Sequence, residues 1–228
     1  MYKYAAITRT GVRREKNEDR VMIAGNYLSD GELLGEVTGP LLAVVCDGVG
    51  GEAFGDEAAE ITSMSFLPLC KTELSLCGIS SAVLDAGRTV RLMQNQNAAH
   101  RYMASTLAGI HISGNKYTAF NVGDSRVYSY KSGKLIQLSR DHRIMQHTLT
   151  RCVGGHGDRD AASFKNGNAE KSSFMLCSDG AFDKTPENVI AEIISNPVPV
   201  IEKCRAIFGR AIKNGSADDI SIVLIEMS

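Results

Sequence analysis

Acidic residues stand at the edges of apolar runs at several places in this sequence. They are Glu18-Asp19, Asp47-Gly48 after Leu41-Leu42-Ala43-Val44-Val45-Cys46, Asp124 after Asn121-Val122-Gly123, Asp179-Gly180 after Ser178, and Asp218-Asp219 before Ile220. A sheet fixes a carboxylate at the end of a buried strand, and several such ends on one side of a fold converge. Clustered carboxylates cannot all stay ionised unaided, because like charges raise one another's pKa. A divalent cation resolves that conflict, and oxygen-only ligands select Mg2+ or Mn2+ over zinc or copper. Two such ions about 3.5–4 Å apart can share a water and lower its pKa, giving a hydroxide for in-line attack on phosphorus. Arg14, one short loop before Glu18-Asp19, is the candidate for gripping the phosphate with its planar fork. Taken singly, each feature has an ordinary reading: a hairpin turn for Asp-Gly, a solvated pair for Glu18-Asp19, a surface side chain for Arg14.

The elements that must position these acids follow from hydrophobic pattern. Strands are expected over 4–8 and 20–24, and residues 29–40 read as a surface hairpin or loop. Leu41–Cys46 has no polar alternation, which predicts a strand covered on both faces. Helical spacing over 55–70, with Pro68 stopping or kinking its end, is followed by a second helix over about 78–100. Strands 106–112, 116–122, 126–130 and 134–138 are separated by hairpin signals. Residues 139–172 are polar and Gly-rich, with a short helical candidate over 148–153. A strand over 174–177, helices over about 186–195 and 200–213, and a strand over 220–226 complete the chain. Runs of strands interrupted by grouped helices predict an α+β fold with two packed sheets, each covered by helices.

The 228 residues suit one domain, 1–228, and 43% of them are apolar. With 25 basic against 26 acidic side chains, the net charge of −1 gives no electrostatic basis for nucleic-acid binding. Six cysteines without a Cys-x-x-Cys pair predict reduced, mostly buried thiols. No apolar run approaches the roughly 20 residues a membrane span needs. The N-terminus, Met1-Tyr2-Lys3-Tyr4, has no signal-peptide pattern, so a cytoplasmic, monomeric protein without membrane or nucleic-acid partners is expected.

The ordered set of motifs resembles the metal-dependent protein phosphatases of the PPM, or type 2C, family, in its bacterial stand-alone form. The segments are Gly11-Val12-Arg13-Arg14-Glu15-Lys16-Asn17-Glu18-Asp19, Val45-Cys46-Asp47-Gly48-Val49-Gly50-Gly51, Ala104-Ser105-Thr106-Leu107, Asn121-Val122-Gly123-Asp124-Ser125-Arg126, Cys177-Ser178-Asp179-Gly180-Ala181-Phe182-Asp183 and Asp218-Asp219-Ile220-Ser221. The resemblance implies a four-layer α-β-β-α sandwich with metals in a cleft at one end of its sheets. By it, Asp47 would bridge two core ions with the Gly48 carbonyl as a further ligand. Asp179 and Asp218 would complete one ion, and Glu18 or Asp19 would hold the other, partly through water. Asp124 and Asp183 match positions of a third, weaker metal, and Arg14 matches the phosphate-binding arginine, while Arg13 and the Ser105-Thr106 segment read as structural. The activity implied is hydrolysis of phosphoserine and phosphothreonine in a phosphoprotein, opposing a Ser/Thr kinase.

Several positions depart from that pattern. Val49 stands where some eukaryotic members carry a histidine, Glu52 follows Gly50-Gly51 where bacterial members often have one, and Asp219 replaces the usual asparagine. Asp219 is expected to bind no core metal. The flap, within 139–172, is expected to be short, because six residues separate Arg140-Asp141-His142 from Leu149-Thr150-Arg151. Asp141, His142, His147 and His156 read as local loop residues. Gly154-Gly155-His156-Gly157 lacks the Lys-Ser/Thr of a phosphate loop. The competing readings are an inactive sandwich serving as a binding or regulatory module, and a metal-dependent phosphodiesterase.

Overall fold

The computed structural model describes residues 1–49, 54–70, 72–144, 148–155 and 161–227. Glu52, His147 and His156, weighed above, lie outside the described residues, as does Gly157. Two six-stranded antiparallel sheets pack face to face. The first runs β11 (Lys134–Gln137), β10 (Arg126–Lys131), β15 (Ser173–Cys177), β16 (Ile220–Met227), β1 (Tyr2–Arg9), β4 (Gly31–Val37). The second runs β14 (Ser163–Asn168), β9 (Lys116–Val122), β8 (Leu107–Ser113), β5 (Leu41–Cys46), β2 (Arg20–Ile23), β3 (Asn26–Leu28). Two small ribbons add β6 (Gly48–Val49) with β7 (Ala104–Ser105), and β12 (Arg143–Ile144) with β13 (Thr148–Leu149).

Side-chain alternation explains the layers. Along β5, Leu41, Ala43 and Val45 face the other sheet, while Leu42, Val44 and Cys46 face helices α1 (Gly55–Met64) and α2 (Leu76–Gln96). Along β16, Val223 and Ile225 enter the space between sheets, and Ile220, Ile222 and Leu224 meet the helices on that side. Those are α3 (Asp179–Phe182), α4 (Glu187–Ser195) and α5 (Val200–Lys213). Strands buried on both faces need apolar residues at every position, and that is why the central runs carry no polar alternation. The result is the α-β-β-α sandwich anticipated from the sequence.

Local chemistry sets the helix limits. The Ser75 side chain accepts a hydrogen bond from the Gly78 amide and caps α2. Cys204, Ile207 and Ala211 put an apolar stripe of α5 onto the sheet. The first helix stops at Met64, and Pro68 falls in a separate 3-10 turn, Leu67–Leu69. No helix among the described residues is long and apolar enough to cross a membrane.

Three expectations need correction. The 29–40 stretch, expected as a surface hairpin or loop, contains an edge strand, β4, whose residues alternate between half-buried and exposed. The helical candidate over 148–153 is instead β13 followed by a bridge from Val153 to Ser105. β14 was not anticipated at all. Its sequence, Ser-Phe-Lys-Asn-Gly-Asn, carries almost no apolar signal, and its ladder to β9 holds it.

His142 ties the base of the loop after β11 to the turn after β9. Its Nδ1 accepts from the Gly123 amide at 3.1 Å, its Nε2 pairs with Ser163 Oγ at 2.8 Å, and its own amide donates to the Gly123 carbonyl at 2.9 Å. Burial, reinforced by Arg151 and Arg140, pulls its pKa from 6.5 down to about 4. The folded ring therefore stays neutral while the unfolded one takes up a proton. Stability is full above pH 6.5 and falls as pH drops toward 4. We predict that His142→Gln lowers stability at neutral pH by about 1–2 kcal/mol and flattens part of this acid slope. Urea midpoints over a pH series would check it, and parallel slopes for the two proteins would refute it.

Candidate metal centre

The acids meet at one end of the sandwich because both sheets end there. Asp19 precedes β2 and Asp47 follows β5, both in the second sheet. Asp179 follows β15 and Asp218 precedes β16, both in the first. The backbone is drawn tight at this end. The Gly48 amide donates to the Glu18 carbonyl at 3.2 Å, and a methyl at Gly48 would strike the backbone of Gly55. A methyl at Gly180 would likewise strike the Asp219 carbonyl. Glycine after the acid is thus a packing requirement as well as a turn signal.

Asp19 is fully buried. Its Oδ2 accepts from Ser178 Oγ at 2.6 Å, whereas its Oδ1 has no hydrogen-bond partner among the described residues. Burial, only partly offset by hydroxyl hydrogen bonds and aided by Asp219 and Asp179, pushes its pKa up to about 8. A hydrogen bond to a charged group supplies about 1.5–3 kcal/mol, less than the several kcal/mol it costs to desolvate one ion. A proton or a cation must make up the difference. Asp47 is raised for the same reason, first by desolvation and then by Asp19, Asp179, Asp218 and Asp124. Asp179 is lifted to about 7 by burial and by Asp124, Asp218 and Asp183.

A network of hydroxyls holds the acids. Thr106 Oγ1 accepts from the Asp47 amide at 3.0 Å and pairs with Ser125 Oγ at 2.6 Å, and the Thr106 amide donates to the Asp47 carbonyl at 2.8 Å. Ser178 Oγ also accepts from the Ser221 amide at 3.0 Å, and Ser221 Oγ pairs with Thr8 Oγ1 at 2.7 Å. Asn17 donates to the same Thr8 oxygen at 2.8 Å and accepts from the Asp19 amide at 3.0 Å. Ser105-Thr106 does the supporting work assigned to it; Ser178 and Ser221 lie in the quoted motif segments without a role read for them, and Thr8 carried no signal at all.

Asp219 spends both carboxylate oxygens on backbone amides, Gly11 at 2.8 Å and Glu18 at 2.7 Å. It therefore clamps the 11–18 loop. Arg14 projects from that loop onto Asp218 Oδ1, with Nε at 2.8 Å and Nη2 at 2.6 Å, and its Nη1 lies 3.8 Å from Glu18. The Arg14 and Asp218 side chains are 43% and 42% exposed, so the pair contributes about 1 kcal/mol at most and yields readily to a competing ligand. An open pocket of about 420 Å³ adjoins it, lined by Arg13, Asp179, Asp183, Lys184 and Asp218 among others. A larger pocket of about 620 Å³, between β11 and α4, contains none of the clustered aspartates.

The donors are carboxylates and one backbone carbonyl candidate, Gly48, which is the set a hard divalent cation takes. The orphaned Oδ1 of Asp19 is a buried acceptor aimed at no proton donor. Among the described residues, no three His, Cys, Asp or Glu side chains close into a finished cage. The arrangement fits Mg2+ or Mn2+ by donor chemistry and by unmet demand for positive charge.

Comparison with known proteins agrees with this architecture. The chain is 24% identical over 247 residues to the serine/threonine protein phosphatase PstP of Mycobacterium tuberculosis, covering 99% of this chain and 45% of that protein. It thus spans about half the length of this relative. It is 23% identical over 211 residues to the serine/threonine phosphatase stp of Listeria monocytogenes, covering 81% of this chain and 84% of that protein. The crystal structure of the PstP catalytic domain in complex with two manganese ions superposes with a TM-score of 0.83 at 24% identity, over 99% of this chain and 97% of that one. The sequence model of the family Protein phosphatase 2C matches residues 31–217, and this chain belongs to that family.

Proposed function

We propose that this chain hydrolyses phosphoserine and phosphothreonine in proteins at a carboxylate-bound pair of Mg2+ or Mn2+ ions, reversing the action of a Ser/Thr kinase. The observation that carries this reading is the buried Asp19 beside Asp47 and Asp179, with pKa values raised by burial and mutual repulsion and one Asp19 oxygen unsatisfied. Ions held there would supply Lewis acidity and acidify a water toward neutral pH. Asp47, between the two sheet ends, would serve both ions, with the Gly48 carbonyl as a further ligand. Asp179 and Asp218 would hold one ion, and Glu18 or Asp19 the other, partly through water. Arg14 stands at the exposed mouth, where its guanidinium orients a phosphate and offsets charge that builds on the phosphoryl oxygens. Val49 offers no proton to the leaving hydroxyl. The relatives' names, which are those of serine/threonine phosphatases, support the substrate class. The free thiols of Cys46, Cys77, Cys177 and Cys204 suit a cytoplasmic setting.

A phosphothreonine peptide assayed with Mn2+ tests the reading. Turnover should disappear with chelator and return on adding the metal. Asp47→Asn should reduce kcat by about 10²–10³-fold; unchanged activity would remove Asp47 from its assigned role. Arg14→Ala should act mainly on KM, with cleavage retained and phosphate binding weakened. Thr106→Val takes away the Asp47 support, so metal affinity should fall by about 10–100-fold, read by titrating Mn2+ against thermal shift.

A further inference from the structure

The positions that the family resemblance links to a third metal do not fit one here, because a side-chain cation already stands between them. Asp124 sits in the turn after β9 and Asp183 directly after α3. Arg143, the first residue of β12, reaches across the two. Its Nη1 is 3.6 Å from Asp124 Oδ2 and 3.5 Å from Asp183 Oδ1, and its Nε is 3.6 Å from Asp141 Oδ2. Asp141 is already committed elsewhere, held by Arg126 through Nη2 at 2.7 Å and Nε at 3.1 and 3.2 Å. Arg126 is fixed in turn by lying over the Phe182 ring, with its guanidinium carbon 3.8 Å from the centroid. The charge of Arg143 is thus left for Asp124 and Asp183. The Arg143 side chain is only 21% exposed, so these contacts are poorly screened by solvent.

A magnesium or manganese ion shared by two carboxylates needs an oxygen of each within about 2.0–2.2 Å. A guanidinium nitrogen already faces one oxygen of each acid at 3.6 and 3.5 Å, and its like charge opposes a dication beside it. Arginine stays protonated at every accessible pH, so this occupant does not come and go with metal concentration. We infer that Arg143 supplies at Asp124 and Asp183, as a permanent side-chain charge, what a third ion would supply, and that the protein holds two ions. The inference rests on the dinuclear reading above.

Metal counting on the full chain tests it. Protein equilibrated with excess Mn2+ and passed through a desalting column is assayed by elemental analysis, and Mn2+ binding is followed by calorimetry. The wild type should hold two Mn2+ per chain. Arg143→Ala should gain a third, weaker binding event, and adding Asp183→Asn to that variant should abolish it. Arg143→Gln, which keeps the side-chain length and removes the charge, provides a second route should the alanine variant fail to fold by circular dichroism. Three ions on the wild type would overturn the inference and leave the phosphatase reading intact. A folded Arg143 variant that still binds two would do the same. A wild type that binds none would overturn the dinuclear reading itself.

Discussion

The constraint on which the rest of this molecule depends is the mutual repulsion of aspartates delivered to one place by two different sheets. Asp19 and Asp47 come from neighbouring strands of one sheet, β2 and β5, and Asp179 and Asp218 from neighbouring strands of the other, β15 and β16. No one sheet could assemble the set. The apolar face between the sheets, built from residues such as Val45, Ile110, Leu176 and Val223, supplies the association that the acids oppose. Burial of these side chains, worth about 1.5–3 kcal/mol each, sets the scale against which a crowd of like charges can be tolerated.

Around the cluster, charge is managed by three separate devices. Hydroxyls of Ser178, Ser221, Thr8 and Thr106 hold the acids and their backbone without adding charge. Asp219 is satisfied by amides and acts as a clamp. On the flank, Arg126 and Arg143 neutralise Asp141, Asp124 and Asp183, which confines the unmet demand for positive charge to the centre. An electrostatic gradient results, with arginine charges at the edge and uncompensated acids at the core.

Much of this was legible in the residues. The buried strands announced themselves through unbroken apolar runs, and the acids through their positions at the ends of those runs. α5 was legible because its apolar stripe is both long and regular. Elements at the sheet margins were not, because an edge strand such as β14 is held by its neighbour's backbone, which sequence pattern does not encode. The 148–153 segment misled for a related reason, since its conformation is set by Val153 bridging to Ser105, far away in the chain. Of the site, the metal-ligand candidates and the Ser105-Thr106 support were visible, and the other supports were not. Thr8, Ser221 and Arg143 gain meaning only once the fold shows what they touch.

The pairing of β1 with β16 has a consequence for how the protein comes into being. Strand β1 is synthesised well before β16, one of its two partners, with Thr8 opposite Ser221 and Arg9 opposite Ile220. Until residues 218–221 have emerged, Asp218 is missing from the cluster, Asp219 cannot clamp the Gly11 loop, and Ser178 lacks its Ser221 contact. Domains generally fold as units during synthesis, and here the unit closes only at its last strand. A nascent polypeptide that lacks β16 would therefore lack the assembled acid cluster, which is completed only as the sheet closes.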